Sequence, residues 1–384
     1  MQYLERLIFI SILLFTAASC DNSENQNKKD YFIEWDNNSL VCIADEGGYP
    51  RLIRMLDESL LAVYENRRGD VVIKKSFDNV ASWNNEVLSF EAFNYTNNTT
   101  GENTIVNIAN PEITQLSSGD LLLAVNLRPR IEGVFPFSIA LKRSTDNGNT
   151  WSDSSILFQA ATHFKDGCWE PSFLLLPDGT IQIYFANEFP YLQSDEQEIS
   201  VLTSTDNGYT WDSEPKTVSF RSGHRDGMPV AVHDGESIYL VIEDNVSGQF
   251  KPWLISNPVN NNWESPVLAD SPERYSALKN NLADTVYAGA PYMIRLTNGI
   301  YLISYQTTEG RTSNWELSTM EVVLSDKPYG FRNPSQPFEV PLDKEAKWNA
   351  LSYLGNNTIA ALASTNFNSE KIGVWMIKGK IILK

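Results

Sequence analysis

Three cysteines and three histidines in 384 residues leave little room for several kinds of chemistry. A disulfide framework needs more cysteine than Cys20, Cys42 and Cys168 supply. Cys20 has its own reading below. Cys42 and Cys168 are then either one bridge in an oxidising compartment or two thiols buried as small apolar groups. His163, His224 and His233 have no paired ligand spacing, so neither a metal nor a cofactor is expected. No glycine-rich phosphate loop or dinucleotide fingerprint occurs. Positive charge is also scarce: 30 Lys and Arg face 48 Asp and Glu, for a net −18, which disfavours nucleic acid as a partner. The longest apolar stretch, residues 7–18, is too short to cross a bilayer as a helix.

That stretch follows Arg6 and suits the apolar region of a signal peptide. It closes on Ala17, Ala18, Ser19 and Cys20, which resembles a bacterial lipobox and implies a lipid on Cys20. Residues 1–20 therefore read as a lipoprotein signal, 21–30 as a polar, flexible tether, and 31–384 as the folded part. The expected place is the bacterial outer membrane, on its periplasmic or outer side, with the lipid as membrane anchor.

What the folded part does contain is a repeat. A small turn, a β run, a Gly or Asn turn and a second β run recur, with second residues at positions 50, 111, 171, 229, 291 and 349, in steps of 61, 60, 58, 62 and 58. Turns such as Asp178-Gly179 and Asn298-Gly299 are strong hairpin signals. Each repeat has room for two more short strands. Six repeats of four antiparallel strands predict an all-β six-bladed β-propeller, whose closure protects its strand edges.

A second recurrence is STDNGNTW at 144–151 and STDNGYTW at 204–211, with a worn copy at Ser76, Asp78, Ser82 and Trp83. Asp146 and Asp206 can accept turn amides, while Gly148 and Gly208 allow positive φ. These aspartates read as structural and are expected on the face away from any chemistry.

In a hairpin, the start of the first strand and the end of the second share one edge. In a propeller those edges surround the central funnel. Tyr49, Arg51, Trp169, Glu170, Arg225 and Asp226 should therefore meet Glu65, Asn126, Arg128, Asn187, Glu243, Asp244, Tyr305 and Gln306. Glu170, between Trp169 and Pro171, has no strand role to fill. Glu243 puts a charge at the end of the apolar run Tyr239–Ile242. Two facing carboxylates are what glycoside hydrolysis requires, and an adjacent Trp can raise a carboxyl pKa or stack on a sugar. Tyr49, Arg51, Arg128, Trp169, Asn187, Arg225, Asp226 and Tyr292 are the expected substrate contacts. Glu65 is the weaker acidic candidate, because Arg67 and Arg68 stand beside it as partners.

The SxDxGxTW boxes and the six repeats resemble the sialidase superfamily over the whole mature chain. Trp169-Glu170-Pro171, the segment from Arg225 to Pro229 and the strand ending at Glu243 resemble the exo-α-1,5-L-arabinanase family. That resemblance implies Glu170 as acid/base, Glu243 as nucleophile of a retaining mechanism, and Tyr305 as the group orienting Glu243. The expected partner is an oligo- or polysaccharide, arabinan or a related neutral glycan, and the protein is expected to be a monomer. Two alternatives stand beside it. An exo-α-sialidase would clamp its substrate carboxylate with three arginines drawn from Arg51, Arg128, Arg225 and Arg311. A glycan-binding lipoprotein without catalysis would use the funnel aromatics alone.

Overall fold

The computed structural model describes residues 30–384. The signal segment with Cys20, and the tether up to residue 29, lie outside the described residues. Six antiparallel sheets follow one another around a ring, each packed on the next. Blade 1 comprises Gly48–Arg54, Leu60–Glu65, Val71–Ser76 and Val87–Phe90. Blades 3, 4 and 5 repeat this order, starting at Cys168–Leu175, Asp226–His233 and Ala288–Arg295. Blade 2 lengthens its inner strand to Asn103–Gln115 and adds a fifth strand, Phe93–Thr96, to it. Blade 6 is shared between the chain ends. Ala346–Gly355, Thr358–Thr365 and Gly373–Leu383 are completed by Tyr31–Ala44, paired antiparallel with the last strand. The sequence repeat implies six blades; it does not reveal that this blade closes the ring by joining the two ends.

The strands are almost continuous apolar runs because each blade is covered on both faces by its neighbours. Leu121–Val125 and Leu60–Tyr64 are wholly buried. The boxes at 144–151 and 204–211 close the opposite strand ends from the funnel, since Ser144 pairs with Leu121 while Asn126 pairs with Ala109. In each, the Ser hydroxyl accepts the Gly amide and the Asp carboxylate takes the Thr amide at 2.8 Å and the Thr hydroxyl at 2.6 Å. Asp78 bonds Ser82 in the same way, so the worn copy keeps the geometry. These bonds hold the three carboxyls down near pH 2. Cys42 and Cys168 are both free thiols, on blades 6 and 3, so the bridge is not formed.

Candidate functional site

One backbone device builds the site. At the start of every inner strand one residue takes a positive φ between 48° and 52°: Tyr49, Asn110, Glu170, Met228, Ala290 and Trp348. A register shift marks the same place in every blade. Each is a β-bulge, the setting in which a proline is tolerated inside a sheet. Five of the six precede a proline, where right-handed α backbone is sterically disfavoured. The repeat thus aims one side chain per blade at the funnel. Glu170 is the one carboxylic acid among these six.

A second ring latches the first. Glu65, Gln306, Glu243 and Ser364 each end a second strand and accept the bulge amide of the following blade. Asn110 N–H donates to Glu65 Oε1 at 2.7 Å, Trp348 N–H to Gln306 Oε1 at 2.9 Å, Ala290 N–H to Glu243 Oε2 at 2.7 Å, and Tyr49 N–H to Ser364 Oγ at 2.8 Å. Four of the six blades place an acceptor for a buried amide at this edge, which accounts for the polar residue there, whereas the counterpart in blade 3 is Ala186, opposite Trp169.

Above the rings lies a cavity of about 950 Å³ lined by seven glutamates, three arginines and one lysine. Glu170 and Glu243 both line it. Burial pushes Glu170 up to about 8, helped by the Glu243 charge and opposed by Arg128. Burial also raises Glu243, to about 7, against the pull of the Ala290 amide and Arg225. Two glycines wall in Glu243. A Cβ on Gly227 would stand 3.0 Å from Oε1, and one on Gly289 would stand 2.6 Å from Oε2 and 2.4 Å from the Tyr287 hydroxyl.

Tyr49, Arg128, Trp169 and Arg225 also line the cavity. Trp169 offers little free face, since it packs on Phe137 at 4.9 Å, Phe164 at 4.6 Å and the Arg128 guanidinium at 5.2 Å. Arg225 is bonded to Glu188, Gln197 and the Asp195 carbonyl.

Five of the expected site residues lie elsewhere. Tyr305 does not orient Glu243: its hydroxyl donates to Glu321 at 2.5 Å within the blade 5 core. Gln306, one residue on, is the true counterpart of Glu243, and strand alternation sends Tyr305 to the opposite face. Asp226 is fully buried and pairs with Arg274, as does Asp244, again one residue out of register with Gly227 and Glu243. Asn187 is buried, tied to Ser200 Oγ and the Phe189 amide. Arg51 and Tyr292 lie below the cavity. Arg51 bonds Glu112 at 2.7 Å and covers the Tyr292 ring at 4.8 Å, while Tyr292 also bonds Glu112.

The tyrosine beside Glu243 is Tyr287, whose own pKa is raised by burial and by the Glu243 charge. Gln306 Nε2 donates to its hydroxyl oxygen at 2.9 Å, so the phenolic hydrogen is free for another acceptor. Tyr287 lies outside the hairpin pattern, in the link before the bulge, and so carried no signal in the repeat. Glu188 and Gln197 likewise lie outside the hairpins, in the loop between the second and third strands of blade 3.

No protein-family model matches the chain. A sialidase from Micromonospora viridifaciens is 34% identical over 115 residues, which are 26% of this chain and 18% of that protein. Among solved structures, an α-L-arabinofuranosidase from Fusarium graminearum with an iminosugar inhibitor superposes with a TM-score of 0.66 at 16% identity, covering 88% of this chain and 97% of the other. A Penicillium chrysogenum α-L-arabinanase with arabinobiose gives 0.60 at 18% identity, with 88% and 97% covered. The Streptococcus pneumoniae NanB sialidase gives 0.57 at 13% identity, with 90% and 70% covered. The fold is that of the sialidase-like propellers. The sialidase match spans less than a fifth of that relative, and the structural matches speak to architecture.

Proposed function

We propose that this propeller is a glycoside hydrolase that removes units from the end of a neutral glycan, arabinan or a close relative, with retention of configuration. The observation that carries the reading is the pair of cavity carboxylates, Glu170 and Glu243, standing on adjacent blades with pKa values drawn apart to about 8 and about 7. At neutral pH Glu170 holds its proton and Glu243 ionises more readily. Glu170 then protonates the departing glycosidic oxygen as the C–O bond breaks. Glu243 attacks the anomeric carbon with Oε1, because Oε2 is held by the Ala290 amide. Water, deprotonated by the Glu170 carboxylate, later displaces Glu243 and restores both groups.

Two observations favour this over a sialidase. Arg51 is committed to Glu112, and Arg311 to the carbonyls of Leu317, Val340, Pro341 and Lys344, so two of the four candidate clamp arginines are occupied. The glutamate excess of the cavity also repels a sugar carboxylate. The arabinan-active neighbours are covered nearly whole, which supports the same choice. The export and lipid anchoring expected from residues 1–20 belong to this proposal, placing the enzyme at the cell envelope.

The test is product analysis of linear α-1,5-arabinan and sialyllactose incubated with the purified protein, Glu170→Ala and Glu243→Ala. Small arabinose products that vanish in both variants support the reading, and proton NMR of the first anomer formed reports retention. Free sialic acid with no arabinan product would transfer the assignment to sialidase.

A further inference from the structure

Glu65 occupies in blade 1 the position that Glu243 occupies in blade 4, on the opposite side of the ring. The arginines next to it in sequence do not neutralise it. Arg67 bonds Glu46 at 3.3 Å, and Arg68 bonds Asp70 at 3.0 Å. Among the described residues no cation is bonded to Glu65. Its Oε1 holds the Asn110 amide, which leaves Oε2 without a protein partner on a side chain that lines the cavity.

Arg128, from blade 2, lines the same cavity. Its guanidinium rests on the Phe164 and Trp169 rings, 5.7 and 5.2 Å from their centroids, and makes no hydrogen bond among the described residues. Its charge reaches Glu65 without a bond between them, while burial raises the Glu65 carboxyl. One wall therefore offers an open acceptor, and the wall beside it offers open donors.

A half-buried acceptor and donor, left open side by side on a cavity wall, suit a ligand that supplies both complements. Adjacent hydroxyls on a neutral sugar do so: one donates to Glu65 Oε2 and its neighbour accepts from Arg128. A sugar carboxylate would satisfy Arg128 but meet Glu65 as a like charge. We propose that Glu65 and Arg128 form a clamp for neighbouring hydroxyls of a neutral sugar and thereby select against acidic sugars. This rests on the glycan reading above and names the part of the cavity that sets its specificity.

Calorimetric titration in a Glu170→Gln background, which suppresses turnover, tests it with arabinobiose as the neutral probe and sialyllactose as the anionic one. Glu65→Gln and Arg128→Met should each weaken arabinobiose about tenfold or more, the usual worth of a hydrogen bond to a charged group. The double variant should lose little beyond either single one. Glu65→Gln should also narrow the preference over sialyllactose. Glutamine keeps an oxygen for the Asn110 amide, so the fold is preserved. Arg128→Lys, which keeps the charge but not the fork, should fall between the parent and Arg128→Met. Unchanged arabinobiose binding in both single variants overturns the clamp, as does tighter sialyllactose than arabinobiose binding by the parent, or no binding of either. Arabinan left uncut by the unsubstituted protein, with the binding pattern intact, sinks the hydrolase proposal and spares the clamp. Cleavage with binding indifferent to both variants does the reverse.

Discussion

Replacing Glu170 with glutamine should stabilise the protein while disabling it. A carboxyl whose pKa is higher folded than unfolded favours folding while it is protonated. That contribution is intact below the ordinary value of 4.5 and is lost as pH rises through about 8. At pH 7 the protein therefore carries a penalty from this group: two and a half pKa units at 1.36 kcal/mol each give about 3 kcal/mol. Glu170 keeps one edge open to the cavity, and solvent screening there trims the figure to about 2 kcal/mol. Glutamine has no charge to bury. Its melting temperature should stand about 3 °C above the parent at pH 7, with the gap near zero at pH 4.5 and widest above pH 8. Scanning calorimetry of both proteins from pH 4.5 to 8.5 measures it, and kcat should fall about a hundredfold or more in parallel. A gap that does not grow with pH, or a variant less stable throughout, would refute the claim that Glu170 is a strained, buried acid.

The same two carboxyls predict a bell-shaped kcat/KM profile with its maximum between pH 7 and 8, the acid limb following Glu243 and the alkaline limb Glu170; a single plateau extending below pH 6 contradicts both roles. Gly289→Ala, with its Cβ 2.6 Å from Glu243 Oε2, should cut kcat at least tenfold, and Gly227→Ala, at 3.0 Å, should do less, as steady-state kinetics will show. Arg274→Met strands Asp226 without a countercharge, while Asp244 keeps Arg221 at 3.0 Å, and should cost about 3–5 kcal/mol in urea unfolding, with part restored by adding Asp226→Asn. Asp206→Ala should lower the melting temperature by a few degrees at pH 7 and leave kcat unchanged; because its carboxyl is held near 2, the difference from the parent should disappear as pH falls from about 4 to 2.

The blade count and the funnel edge were legible because a repeat exposes its own register, and six copies of one hairpin reveal what a single copy hides. Glu170 stood out as the charged member of a ring whose other members are Tyr49, Asn110, Met228, Ala290 and Trp348. The errors at Tyr305 and Asp226 share one cause. Strand neighbours face opposite sides, so an assignment one residue out exchanges a cavity group for a core group. Tyr287, in the link between blades 4 and 5, and Glu188 and Gln197, in the loop between the second and third strands of blade 3, were illegible because no period constrains those connections. The arginines misled for another reason. Charge along the chain cannot show that Arg51 is spent on Glu112, or that Arg67 and Arg68 turn away from Glu65.

Ring membership also decides which glutamate does which job. Glu243 is one of the residues that latch the following blade, and the Ala290 N–H it receives favours its ionised form. Glu170 belongs to the bulge ring, where the fold demands only a positive φ, and among the described residues nothing hydrogen-bonds its carboxyl. Equal burial would raise both alike. The latch lowers Glu243, and its negative charge then raises Glu170 further. In the proposed mechanism, one structural bond, made to Glu243 and not to Glu170, separates the proton donor from the nucleophile. In blade 1 the same latch acts on Glu65, and the bulge of the preceding blade, the place Glu170 holds relative to Glu243, carries Trp348, so that side of the funnel holds a carboxylate with no partner acid and is suited to binding instead of bond cleavage.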